Sequence, residues 1–125
     1  MTERYEKGLA VRRAVLGEEH VDRALASVDE FSRPMAELGV EYCWGSLWTR
    51  DGLPLKTRSL INIAMLAALN RPHEFKLHVR GALRNGCSKE EIREALLHVA
   101  IYCGIPAGSE AFRSAKEVFA EQPHP

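Results

Sequence analysis

From Leu60 to Leu69 the chain reads Leu-Ile-Asn-Ile-Ala-Met-Leu-Ala-Ala-Leu, apolar at every position except Asn62. Such a run, free of Gly and Pro, reads as a helix with hydrocarbon almost all round its circumference. It is far too short to span a bilayer, so protein must cover it on every side. At 125 residues the chain is expected to form one domain with its own core. A domain of this size has trouble enclosing a helix completely, which makes a subunit interface a natural cover.

The other segments repeat at the same helical period. Glu3 to about Gly17 reads as a short helix or extended arm. A second helix is expected over Val21 to Glu37, with Val21, Leu25, Val28, Phe31 and Met35 as its apolar stripe and Pro34 marking its end or a kink. Gly39 to Leu53 is the least regular stretch and holds Trp44 and Trp48; Asp51-Gly52 signals a turn before Pro54. The apolar helix then runs from about Pro54 to Leu69. Asn70-Arg71-Pro72 breaks and restarts the chain, since Pro suits a first helical turn. The next helix reaches Asn85 and stops at Gly86. Ser88-Lys89-Glu90-Glu91 is a capping box that opens a fifth helix, ended by Gly104. Pro106 begins a sixth, and Gln122 to Pro125 reads as a frayed tail. The expectation is an all-α single domain of about six helices, with no strand.

Lys plus Arg equals Asp plus Glu, 17 of each, so no overall field draws in nucleic acid or an acidic membrane. No stretch has the pattern of a secretory signal, and a cytoplasmic location is expected. Cys43, Cys87 and Cys103 form no CxxC pair, and an odd number argues against a disulfide framework. The nearest metal-ligand spacing, His98 with Cys103, is not that of a metal site.

His78 falls on the apolar stripe Phe75, His78, Val79, Ala82, Leu83, where Leu or Val would be ordinary. Arg71 and Glu74 lead up to it at three- and four-residue spacing. An imidazole with a cation and a carboxylate beside it is either a structural hydrogen-bond knot or a proton-transfer site. Arg58 sits in the first turn of the apolar helix, where the dipole disfavours a cation. A shared anion would explain it, as would pairing with Glu41 or Asp51 of the preceding loop. Lys56 adds to the same positive region. His98 lies one turn from both Glu94 and Tyr102, on a face that is either solvated or a subunit contact. Trp44 and Trp48 are four apart and would stack if helical, as core, as an oligomer contact, or as a wall excluding water from a pocket.

The ordered set of Lys56-Thr57-Arg58-Ser59-Leu60, Ala64 through Pro72, His78 through Gly86, Glu90 through His98 and Tyr102 through Ala107 resembles the carboxymuconolactone decarboxylase family. Trp44-Gly45 and Trp48 extend the resemblance upstream. The resemblance implies an all-helical fold shared with the alkylhydroperoxidase D-like proteins. In those peroxidases a CxxC pair precedes a histidine, and the matching positions here are Arg71, Glu74 and His78. Ser59 stands where they carry a glutamate. Without a peroxidatic and a resolving thiol, that chemistry cannot run. A ring-shaped homo-oligomer, a hexamer, is also implied.

The implied activity is decarboxylation of 4-carboxymuconolactone to 3-oxoadipate enol-lactone, in the protocatechuate branch of the 3-oxoadipate pathway. That lactone dicarboxylate is its own electron sink, so no cofactor is implied. On this reading His78 is the candidate general acid, Glu74 orients it or keeps it protonated, and His98 is a second donor. Arg58 holds a carboxylate with Arg71 or Arg80 as assistants, and Trp44 and Trp48 wall off water. The alternatives are a peroxidase or disulfide reductase of the related branch, and a non-catalytic lactone-binding member.

Overall fold

A computed structural model describes residues 2–121, and among these every regular element is helical. The sequence expectation for 122–125 lies outside the described residues. Seven α-helices and one π-helix divide at Leu55/Lys56 into two compact units.

The first unit holds α1 (Glu3–Leu16), α2 (Glu18–Ala26), α3 (Arg33–Leu38) and the π-helix (Gly39–Leu47). Thr2 caps α1 by accepting from the Tyr5 N–H at 3.0 Å, the usual remedy for orphan first-turn donors. Of the two forms expected, short helix or extended arm, the segment takes the helix. It lies against the π-helix so closely that a Cβ on Gly8 would come within 2.6 Å of the Gly45 nitrogen.

The single helix expected over 21–37 is two helices. The Asp29 N–H donates to Ser32 Oγ at 3.0 Å, and the Ser32 N–H returns a bond to Asp29 Oδ1 at 2.9 Å. This reciprocal pair offers the backbone an alternative to the helical ladder and stops it. Phe31 and Met35, read as core, are consequently 94% and 71% exposed. Pro34 stands at the start of α3, not at a helix end, where its missing N–H costs nothing.

The stretch read as irregular, 39–53, is π-helical over its first part. Its turns close five residues back, as in the Trp48 N–H to Cys43 carbonyl bond of 3.1 Å. Such a turn matches neither the 3.6- nor the 2-residue period, so its pattern is invisible to both templates.

The second unit contains α4 (Leu55–Ala68), α5 (Pro72–Arg84), α6 (Lys89–Cys103) and α7 (Ile105–Glu121). Asn70, at φ 57, and Gly86 and Gly104, at φ 94 and 109, make the three reversals between them. The capping box is formed in both directions: Ser88 Oγ accepts from the Glu91 N–H, and the Glu91 carboxylate accepts from the Ser88 N–H. The core gathers Ile63 and Ala67 of α4, Phe75, Val79 and Ala82 of α5, Ile92, Leu96 and Val99 of α6, and Ala111, Ala115 and Val118 of α7. Gly108 lets α7 approach α6, since a Cβ there would lie 2.8 Å from the Ala100 Cα. Two ion pairs one turn apart, Lys76–Glu117 and Arg80–Glu121, tie α5 to α7.

Candidate active site

α5 begins with Pro72 at its first turn and buries Phe75, Val79 and Ala82. Those three positions define its core-facing stripe, and His78 stands at the stripe's edge, half-buried, with its Nδ1 a buried atom. The imidazole is neither immersed in hydrocarbon nor fully solvated. That setting suits a group that must meet a small ligand and still exchange a proton.

Arg58 is the fourth residue of α4, half-buried, and its Nε is likewise a buried atom. It flanks the buried stripe Ser59, Ile63, Ala67 of that helix. Its neighbour Lys56 is not part of a free positive region, because its ammonium pairs with Glu91 of α6 at 3.0 Å. Of the loop acids expected to pair with Arg58, Glu41 lies 4.0 Å from Arg4 within the first unit.

Of the two arginines expected to assist, Arg80 is held by an ion pair within the fold and Arg71 is exposed. Arg80 grips Glu121 through Nε and Nη2 at 2.9 and 3.0 Å, and that hydrogen bond raises the arginine's pKa further above its ordinary value. Arg71 is the residue before α5, exposed, and donates to the Leu69 carbonyl at 3.3 Å. It rims a hollow of about 10 Å³ with Phe75, Ala111 and Ser114, which is one water's worth of space. Glu74 is exposed in the first turn of α5.

His98 stands on the exposed side of α6. Its ring stacks with that of Tyr102 at 6.2 Å and 8° between planes. With Glu94, Leu97 and Ile101 they line a shallow depression. In the first unit Trp44 and Trp48 stack at 4.8 Å and 26°, both buried. The spacing of four that suggested stacking produces it here across the π-helix and its last turn.

Neither Cys43 nor Cys87 is poised for redox work. All three cysteines are free. Cys87 is buried, with its S–H 3.5 Å from the Lys56 carbonyl. Burial pushes the Cys43 and Cys87 thiols above their ordinary pKa, and Glu91 adds to the rise at Cys87. A peroxidatic cysteine needs the opposite shift. Among the described residues, no group of three or more His, Cys, Asp or Glu is placed to hold a metal ion. No helix among them is long and apolar enough to cross a membrane.

Sequence reading missed a set of ties at the start of α4. The Asn85 amide donates to Ser59 Oγ at 2.9 Å, and Ser59 is completely buried. The available signal was a polar residue on an apolar stripe, the same signal that singled out His78.

Residues 34–117 match the carboxymuconolactone decarboxylase family. A 4-carboxymuconolactone decarboxylase of Acinetobacter baylyi is 43% identical over 119 residues, which covers 95% of this chain and 89% of the relative. The chain belongs to the carboxymuconolactone decarboxylase family. A nitrosuccinic acid decarboxylase of Metarhizium robertsii is 45% identical over 107 residues, covering 86% of this chain and 75% of that protein. A 4-carboxymuconolactone decarboxylase of Pseudomonas putida is 42% identical over 43 residues, 34% of this chain and 90% of the relative. The family match spans the Leu55/Lys56 division, taking in residues 34–55 of the first unit and 56–117 of the second.

Proposed function

We propose that this chain is a carboxy-lyase that converts 4-carboxymuconolactone to 3-oxoadipate enol-lactone, in the protocatechuate branch of the 3-oxoadipate pathway. The observation that carries the reading is the 43% identity to the Acinetobacter decarboxylase along 95% of this chain and 89% of that one.

The chemistry asks little of the protein beyond placement and charge. The departing carboxylate and a carboxymethyl arm share one ring carbon. When carbon dioxide leaves, its electron pair passes through the ring double bond onto the lactone carbonyl, giving a dienolate. A proton then adds to the carbon next to that carbonyl. Arg58 is the group we assign to hold a carboxylate, because a guanidinium binds one through two parallel hydrogen bonds. Half-buried His78 delivers the proton. General acid catalysis of this kind contributes about 10²–10⁴-fold. Arg80 and Arg71 have other partners, and we leave the clamp to Arg58. Glu74, one turn before His78, is assigned to orient it or keep it protonated. His98 serves as a second donor only from a neighbouring subunit, since its ring stands on an exposed helix face.

That subunit belongs to a ring-shaped homo-oligomer, a hexamer in our reading. Ile61 and Met65 of α4 and Leu69 just past its end form an exposed apolar set, and Leu97, Ile101 and Ile105 a second on α6 and the start of α7. Exposed apolar patches of this kind mark association surfaces.

The Metarhizium relative favours a second substrate for the same residues. In nitrosuccinic acid one carboxylate also sits on a carbon beside an electron-accepting group, and that carbon likewise carries a carboxymethyl arm. Loss of carbon dioxide would leave the charge on the nitro oxygens, with the same demand for a cationic clamp and a proton donor.

Incubation with each acid, following carbon dioxide and product by NMR, tests the reading. Carbon dioxide and enol-lactone from 4-carboxymuconolactone are expected. Binding of the lactone without carbon dioxide release would point to a non-catalytic member and sink the proposal.

A further inference from the structure

The start of α4 is held at three points. Asn85, the residue that ends α5, donates its amide to buried Ser59 Oγ at 2.9 Å. Cys87 points its S–H at the Lys56 carbonyl, 3.5 Å away. Glu91, fixed in its own capping box, pairs with the Lys56 ammonium at 3.0 Å. All three partners come from the corner 85–91 between α5 and α6, where Gly86 at φ 94 reverses the chain. The gripped residues, 56 and 59, bracket Arg58.

We propose that this corner is the positioning device for Arg58, and that the Ser59–Asn85 hydrogen bond is its central tie. The inference rests on the carboxylate-holding role given to Arg58 above. Ser59 and Asn85 touch no substrate in this account; they act through the arginine.

Two physical points favour a positioning role. A serine at a fully buried helical position is a poor packing choice beside Ile63 and Ala67, and alanine would fit the same space with better helix propensity. Its hydroxyl is worth keeping only for its bond. The bond also spans 26 residues of sequence and joins the helix of Arg58 to the C-terminal end of the helix that carries His78. A shift of either end changes the spacing of cation and imidazole. A misplacement of about 1 Å in such a pair can cost on the order of 10²-fold in rate.

The test uses full-length Ser59→Ala and Asn85→Ala, singly and together, with selectively ¹⁵N-arginine-labelled protein. Each single variant is expected to raise KM for 4-carboxymuconolactone about five- to tenfold, in keeping with one buried hydrogen bond. The pH profile of kcat, which reports the proton donor, should stay where it is. The double variant should be no worse than either single one, because the two residues form one tie. The Arg58 Nε–H resonance should move in both single variants. A merely structural role would lower Tm alone. An unmoved Arg58 resonance, or an unchanged KM with only Tm lowered, overturns the inference. If the parent protein itself releases no carbon dioxide, the proposed function fails instead, and the Arg58 resonance still decides whether the corner places that side chain.

Discussion

The proposed chemistry rests on His78 and Arg58, and their settings predict different failures when they are removed. His78→Gln keeps the volume and a hydrogen-bonding head but cannot hold an acidic proton near neutral pH. Its kcat should fall about 10²–10⁴-fold with the fold intact by circular dichroism. Arg58→Ala removes charge-assisted bonds made to substrate before and during reaction, so KM should rise about 10- to 100-fold. A variant in which kcat falls and KM holds would move Arg58 from substrate holding to transition-state stabilisation. The thiols give a contrasting expectation. Cys103 is exposed and Cys87 buried with a raised pKa, so a thiol reagent near pH 7 should label Cys103 well before Cys87.

At the scale of elements, close approaches and caps decide stability. Gly108→Ala would force a Cβ to 2.8 Å from the Ala100 Cα; backbone cannot yield as a flexible side chain can. The variant should lose about 1–3 kcal/mol in urea unfolding, with α6 and α7 pushed apart. The capping box adds a pH term. The Ser88 N–H, followed by Lys56, holds the Glu91 carboxyl below its ordinary pKa of 4.5. A depressed folded-state value contributes stability above the ordinary one, and that contribution is lost as pH falls through the folded value. Tm should therefore decline as the protein is acidified below about pH 4.5, and Glu91→Gln should flatten part of that decline.

These same elements show how much the sequence carries. The starts and stops of α4 to α7 were legible because each is local chemistry: the Ser88–Glu91 box, Pro72, and Gly86 and Gly104 at positive φ. The break at 29–32 was not, because two polar side chains exchanging bonds with the backbone leave no mark on hydrophobic period. The π-helix was not, because its turn closes five residues back and its period is longer than both templates. In the site, His78 and Arg58 stood out as wrong residue types for their helical positions. The occupation of Arg80 by Glu121, and of Ser59 by Asn85, depends on helices 41 and 26 residues apart in sequence meeting side by side. No local pattern encodes that.

The whole molecule has no net formal charge and leaves a long apolar stripe open. On α4, Ile63 and Ala67 face the core, while Ile61, Met65 and, just past the helix end, Leu69 are 42%, 50% and 63% exposed. The run read from sequence as needing cover on all sides thus receives it on one side within the chain. Near-neutral charge offers little repulsion between copies, and each large apolar side chain buried contributes roughly 1.5–3 kcal/mol to association. Light scattering should accordingly give a mass that is a multiple of the 14.0 kDa chain. Met65→Lys places an ammonium at the middle of the stripe, where exposure in the single chain keeps folding unharmed while burial between copies would strand the charge. That variant should dissociate toward the monomer with its helical content preserved. If it keeps the parent's mass, the α4 stripe is not the contact and the second apolar set, around Ile101, becomes the surface to mutate.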